Sequence, residues 1–323
     1  MRLPRSFYRL PVRFDVERLQ AELAALPPAA WAPHPNGEAG NEAVRLISVN
    51  GGDNEEVNGT MRMTAHLERS PYLRQLLASF GVVWSRSRLL KLAPGARVPV
   101  HADIHHHWFF RVRLHVPIVT DPQVRFTCDG ETVHMAAGEA WIFDNWRLHR
   151  VENDSAIERV HLVADTSGNA AFWELVARGE RHEGAAPMLR FAPGLEATPL
   201  TERSVPRPVM PPAEMELLVL DLRADLAPEI EAPEGRARLA PYHALLLGLV
   251  RDWRAAYSLH GEDPAGFGAY EQIRARVRER SRALGAGIVT RSNQVAAHRV
   301  LEARILRAAL GAGDAVGRAP PAA

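Results

Sequence analysis

RVPVHADIHHHWFFRVRLHVPIV, residues 97–119, decides how the chain is read. Its flanks alternate apolar and polar residues, the period of a half-buried strand. On Phe109–Val119, the residues Arg111, Arg113, His115 and Pro117 share one face. Phe110, Val112, Leu114 and Val116 share the other, because side chains alternate along a strand. The same texture continues on both sides. Between Val82 and Asp165, short alternating runs such as VRFTCDG, ETVHMAAG, EAWIFDN and ERVHLVAD are separated by Pro, Gly and Asp. This spacing predicts an antiparallel barrel or sandwich.

Helices flank the β-rich segment, which makes the fold class α+β. Asp15 is a candidate N-cap for a helix over residues 15–26, whose Val16, Leu19, Leu23 and Leu26 recur at helical spacing. Arg45–Asn50 reads as a short strand. Ser70 and Pro71 open a second helix with Leu73, Leu76, Leu77 and Phe80 on its apolar side. A short helix follows at Ala170–Arg178. Residues 183–213 hold seven prolines and read as a linker or wandering arm. Three helices are expected beyond it, at about 240–259, 266–284 and 292–310, with Ser292 capping the last. The expected organisation is a site-bearing domain over 1–182 with its β core at about 82–166, then the linker, a helical region over 214–310, and a disordered tail over 311–323.

Composition removes several function classes. The 323 residues carry 39 basic and 38 acidic side chains and are 46% hydrophobic, as in a globular protein with a substantial core. Nothing global draws the chain to nucleic acid or membrane, and no apolar run reaches the ~20 residues of a membrane helix. The N-terminus has no apolar stretch of the secretory kind. The lone Cys128 suits a reducing compartment, so a cytoplasmic location is expected. Cys128 itself reads as a structural thiol. Lys91 is the only lysine, so single arginines are weak functional clues.

Eight of the 14 histidines lie between His101 and His161. His101 and Asp103 are two apart on an extended segment and so can face one ion together. A facial triad for a non-haem Fe(II) oxygenase needs one more histidine from a distant strand and leaves three positions open. His149, at the start of HRVEN, is the candidate. If the turn at Asn153–Ser155 closes a hairpin centred near Asp154, His149 lies opposite Arg159 on one face. A guanidinium there suits the far carboxylate of a co-substrate such as 2-oxoglutarate, whose keto-acid end would chelate the metal. An HxD alone is a common coincidence. HxD, a later His, and Arg ten residues after it, within one β-rich segment, is a more specific pattern. His134 and His161 read as strand-surface or core histidines, and Trp141 and Phe143 as core packing.

At these residues the sequence resembles the aspartyl/asparaginyl β-hydroxylases, which are Fe(II)- and 2-oxoglutarate-dependent oxygenases on a double-stranded β-helix, the cupin jelly roll. The resemblance is carried by LAPGARVPVHAD, RVRLHVPI, GEAWIFDNWRLHRVEN and RVHLVAD, about residues 88–166, with a weaker lead-in from about 30 to 87. It implies that His101 and His149 are iron ligands and that Arg159 clamps the distal carboxylate of 2-oxoglutarate. It makes Arg113 and His115 further co-substrate contacts. Vertebrate peptide hydroxylases of the family have glycine where Asp103 stands here; bacterial members acting on amino acids keep the carboxylate. The implied reaction consumes O2 and 2-oxoglutarate and yields succinate, CO2 and a hydroxylated amino acid, free, peptidyl or carried in a biosynthetic intermediate.

His105, His106, His107, Trp108 and Trp146 are candidate substrate contacts, since all lie in sequence near the proposed metal. Two other readings stay open: a metal cupin enzyme that does not use 2-oxoglutarate, and a non-catalytic cupin sensor or scaffold. Residues 271–310 carry nine arginines against three glutamates. Without interleaved aromatics they read as solvated helix faces rather than a nucleic-acid surface. The C-terminal helices could cap the site, recognise a peptide, or form a homodimer.

Overall fold

The structure, a computed structural model, describes residues 1–35, 37–179, 186–203, 207–230 and 234–311. The tail expected over 311–323 lies outside these from residue 312 onward. The chain divides into two units: residues 1–101 with 110–203, and residues 102–109 with 207–311.

The first unit is built on ten strands that matter for the site: β1 (Phe7–Phe14), β2 (Asn41–Val49), β3 (Val83–Leu92), β4 (Arg97–His101), β5 (Val112–Val119), β6 (Val124–Cys128), β7 (Glu131–Val133), β8 (Glu139–Phe143), β9 (His149–Asn153) and β10 (Arg159–Thr166). Among the described residues the larger sheet includes the order β1-β8-β5-β10-β3-β2, and the smaller sheet runs β4-β9-β6-β7. From β3 to β10 the chain passes back and forth between the two sheets. With β8-β5-β10-β3 in one sheet and β4-β9-β6-β7 in the other, all antiparallel, this is a double-stranded β-helix. The expected α+β class and jelly-roll core are borne out.

Alternation along the strands sorts the side chains. Val112, Leu114, Val116 and Ile118 of β5 are buried in one apolar cluster with Leu162 and Ala164 of β10. Leu19 of α1 (Val16–Ala24), Leu73, Leu76 and Leu77 of α2 (Pro71–Ser79), and Phe172 and Val176 of α3 (Ala170–Gly179) belong to the same cluster. Arg113 and His115 take the opposite face of β5. A smaller cluster of Phe7, Leu92, Phe126, Cys128, Phe143 and Val151 joins residues from both sheets. The β6–β7 hairpin turns on Asp129 and Gly130, with φ of 51° and 80°, the left-handed pair that a two-residue turn requires. Cys128 is buried as a structural thiol, and burial pushes it up to about 12.

Two local expectations are corrected here. The N-terminal strand β1, unread in the sequence, pairs with β8 across a register shift between Leu10 and Arg13, which breaks the period that would have disclosed it. Ser70 does not cap α2. Its hydroxyl donates to the His66 carbonyl, and the Glu22 carboxylate of α1 accepts the Tyr72 and Leu73 N–H groups instead. Asp15 does cap α1, accepting from the Arg18 N–H at 3.1 Å. Residues 186–203 run with the first unit: Met188–Leu189 pair with β1 and Leu200–Thr201 with β3.

The second unit is helical: α4 (Pro212–Asp225), α5 (Glu234–His260), α6 (Phe267–Leu284) and a final helical stretch through Ala297–Val300, Leu301–Leu306 and Arg307–Ala309, whose middle part is π-helical. α4 escaped the sequence reading because the prolines Pro211 and Pro212 stand at its start and Leu217 and Leu220 lie exposed beside the buried Met215, Leu218, Val219 and Leu222. α5 starts at Glu234, with Pro241 inside it, rather than near residue 240. The last helix begins at Ala297 and is not capped by Ser292. Ser292 donates both its N–H and its hydroxyl to the Asp225 carboxylate, tying that loop to the end of α4. No described helix is long and apolar enough to cross a membrane.

Candidate active site

His101 ends β4 and His149 opens β9, and the two are direct partners across the smaller sheet. Their ring centroids are 4.2 Å apart. Each ring is held by its own chain: His101 Nδ1 donates to the Pro99 carbonyl at 2.8 Å, and His149 Nδ1 to the Arg147 carbonyl at 2.9 Å. A carbonyl only accepts, so each Nδ1 carries a proton, which leaves Nε2 of each ring as the atom that can ligate a metal. Metal-binding histidines are oriented in this way. His149 also packs against Phe143 and Phe126. One ligand atom each from His101, Asp103 and His149 lies within 4.8 Å of the other two. The structure thus brings together the three residues read as ligands.

Arg159 is not the cross-strand neighbour of His149, which corrects the hairpin reading. β9 belongs to the smaller sheet, where His149 faces His101 and Cys128; β10 belongs to the larger, where Arg159 faces Leu92. Asn153 makes the corner between them. Its amide donates to the carbonyls of Leu92, Ala93 and Ile157, and its oxygen accepts from Ser155.

Arg159 is nevertheless part of a buried polar group. It is only 4% exposed, and one of its terminal nitrogens donates to His161 Nδ1 at 2.8 Å. Its Nε has no hydrogen-bond partner, and no described carboxylate pairs with it. Burial alone pushes its pKa down to about 9. His115 lies against His161, with ring centroids 5.7 Å apart, and Nε2 of both rings lacks a partner. Both histidines are held well below the usual range, by burial first and the Arg159 charge second, so both are neutral. A buried cation beside neutral rings, with no carboxylate of its own, is suited to an incoming anion.

Arg113 is placed differently. It sits on the same inner face, but its Nε donates to Asp165, its cross-strand partner, at 3.2 Å. Trp146 is buried, with the Arg2 guanidinium over its ring. Residues 102–109 fall in the second unit. There His106 meets Glu214, His107 is buried against Trp108, and the His107 N–H donates to His105 Nδ1.

Sequence reasoning missed two residues. His161 looked like core because it alternates with Val160 and Leu162 in the run ERVHLVAD. Asn145 is fully buried, and neither polar atom of its side chain has a hydrogen-bond partner. Its only signal was its place four residues before His149.

A family profile, aspartyl/asparaginyl beta-hydroxylase, matches residues 42–168, the span from β2 to just past β10. Two curated relatives come from Streptomyces. L-proline cis-3-hydroxylase 1 is 25% identical over 199 residues, covering 57% of this chain and 65% of the relative. L-proline cis-3-hydroxylase 2 is 27% identical over 178 residues, covering 50% and 60%. The match therefore spans less than two thirds of either relative. A solved 2OG-Fe(II) oxygenase family protein from Burkholderia pseudomallei is 15% identical, with a TM-score of 0.36 and coverage of 48% of this chain and 78% of that one. The fold of the hydroxylase-family region rests on its strand pairing, not on that likeness.

Proposed function

We propose that the protein is an Fe(II)- and 2-oxoglutarate-dependent hydroxylase of an amino acid, with proline the first substrate to test. In this reading His101, Asp103 and His149 hold the iron, and Arg159 binds the distal carboxylate of 2-oxoglutarate. The observation that carries it is Arg159: a guanidinium 4% exposed, without a carboxylate of its own, one side chain away from His115. The pinned tautomers of His101 and His149 fit a divalent metal, and the match of residues 42–168 to the hydroxylase family profile suggests this metal and co-substrate. The proline substrate is suggested by what the two Streptomyces relatives are named for.

When bound, iron, 2-oxoglutarate and O2 together supply the oxidation of an unactivated C–H bond, with succinate and CO2 as co-products. The chain supplies the rest. The imidazole Nε2 atoms of His101 and His149 and the Asp103 carboxylate would hold the metal. Arg159 would pair with the distal carboxylate of the co-substrate, a contact made strong by burial. Neutral His115 and His161 add no second positive charge and offer ring N–H groups beside the anion. Phe126 and Phe143 keep water from one side of His149. Arg113 and Trp146 have other partners here, so in this reading they shape the site's walls.

The test is an anaerobic titration of Fe(II)-loaded protein with 2-oxoglutarate, read by the visible charge-transfer band of the chelate. A band that disappears in His149→Ala and needs far more 2-oxoglutarate in Arg159→Ala supports the reading. Bound iron without a band rules out the co-substrate. Succinate release on adding L-proline then tests the substrate.

A further inference from the structure

Two side chains of β10 meet in a way that fixes the place of a proton. Arg159 and His161 are two apart on the strand, so they share its inner face. One terminal nitrogen of the Arg159 guanidinium stands 2.8 Å from His161 Nδ1. A guanidinium only donates, so Nδ1 is the accepting nitrogen and the ring carries its proton on Nε2. The ring can accept there only while it is neutral, and burial first, then the Arg159 charge, hold it so. A second ring reaches the same nitrogen: His115 Nδ1 lies 3.5 Å from it, and burial keeps that ring neutral as well. Leu90 of β3 and Pro117 of β5 stand opposite His161 across the sheet. Pro117 has no N–H to give, and the pairing of β5 with β10 slips between Val160 and His161. Such slips re-aim side chains. His161 is 2% exposed. The arrangement gives Arg159 an orienting partner without giving it a counter-ion.

We infer that His161 is a positioning residue for the co-substrate: its neutral ring accepts from Arg159 and aims the guanidinium without cancelling the charge that a carboxylate ligand needs. The inference rests on the reading of Arg159 as the partner of the distal carboxylate of 2-oxoglutarate. A carboxylate side chain at position 161 would also orient Arg159, as Asp165 orients Arg113 at 3.2 Å, but it would stand where the ligand must act as counter-ion. An aliphatic side chain there would leave a buried donor unmet and the guanidinium free to turn. An imidazole held neutral does neither.

The experiment is an anaerobic titration of the full-length, Fe(II)-loaded protein with 2-oxoglutarate, read by the visible band of the chelate. Beside it runs a titration with 2-oxobutanoate, which keeps the chelating keto acid and lacks the distal carboxylate. His161→Phe, His161→Asn and Arg159→Leu are compared with wild type, and His161→Phe is repeated in the Arg159→Leu background. His161→Phe keeps a buried ring but no acceptor, and should weaken 2-oxoglutarate binding about tenfold. His161→Asn brings an amide oxygen near the place of Nδ1 and should recover most of that loss. 2-Oxobutanoate should bind the His161 variants as it binds wild type, which also shows that each is folded and loaded. Once Arg159 is gone, His161→Phe should have no further effect. Wild-type 2-oxoglutarate affinity in His161→Phe would overturn the inference while leaving Arg159 standing. A loss that His161→Asn does not recover, or that 2-oxobutanoate shares, would make the ring ordinary packing. No band in wild type, or unchanged 2-oxoglutarate affinity in Arg159→Leu, would defeat the reading on which the inference rests.

Discussion

Arg113, partly buried, and Arg159, fully buried, lie on the same inner face of the larger sheet, yet they have opposite standing. Arg113 has Asp165 across the strand pair, 3.2 Å away. Arg159, six residues from Asp165 on the same strand, has a neutral histidine and no carboxylate. The first arrangement serves the fold. The second leaves a desolvated cation that the folded chain does not neutralise, and such a charge persists where a ligand supplies the counter-ion. The difference gives each residue an experimental signature.

The largest effect is expected at the paired histidines of the smaller sheet. His149→Ala removes one of two rings that are already oriented for a metal. Fe(II) or Co(II) affinity should fall more than about 100-fold, beyond the 10–100-fold typical of losing an outer partner, as read by equilibrium dialysis. Retained affinity would place the metal elsewhere. Next comes the arginine pair itself, measured by denaturant unfolding of metal-free protein. Arg113→Leu takes away the guanidinium partner of a buried carboxylate and should cost about 3 kcal/mol. Arg159→Leu removes a buried charge that has no carboxylate partner, so stability should stay level or rise. The same Arg159 variant should lose about 2–5 kcal/mol of 2-oxoglutarate binding. Equal destabilisation by both substitutions would erase the distinction between them.

A smaller effect concerns the corner that sends His149 and Arg159 into different sheets. Asn153 bonds to carbonyls on both sides of the turn. Asn153→Ala leaves those buried acceptors unmet, at a cost of about 1–3 kcal/mol. Thermal unfolding measures the cost, and metal affinity shows whether β9 has moved.

The corner also shows what the sequence could and could not disclose. HxD was legible because positions two apart on a strand share a face, whatever sheet the strand joins. Arg159 was found for a reason that fails: the turn after β9 looks like a hairpin, and only the hydrogen bonds of Asn153, which reach back to Leu92 and Ala93, make it a change of sheet. Its side chain still points inward, since alternation along β10 survives the change of partner. His161 was hidden because a buried neutral histidine between valine and leucine reads as core. In the second unit, apolar periodicity disclosed three of the helices but not α4. Nothing local could reveal that residues 102–109 would pack with helices whose contacts lie 108 positions away, at Glu214. The β core rests on short-period patterns, the helical unit on long-range pairs.

The smallest effect is a pH dependence, and it tests the neutral state of His115 and His161 directly. Burial, and then the Arg159 charge, lower the affinity of both rings for a proton in the folded state. In the unfolded chain they titrate near 6.5. Below that value the unfolded state binds protons that the folded state refuses, so the slope of unfolding free energy against pH is positive. Stability falls as the solution becomes acidic, by up to about 1.4 kcal/mol per pH unit for each ring. Metal-free protein isolates the effect from protonation of bound ligands. His243 and His298 are shifted in the same direction, so the total slope alone does not identify the pair. His161→Phe should flatten the acid slope between about pH 6.5 and 5 by the share of one proton. Arg159→Leu should flatten it less, because burial, the larger cause, remains. A slope untouched by His161→Phe would mean that the ring is already protonated in the fold, and that Arg159 has a charged neighbour rather than a neutral one.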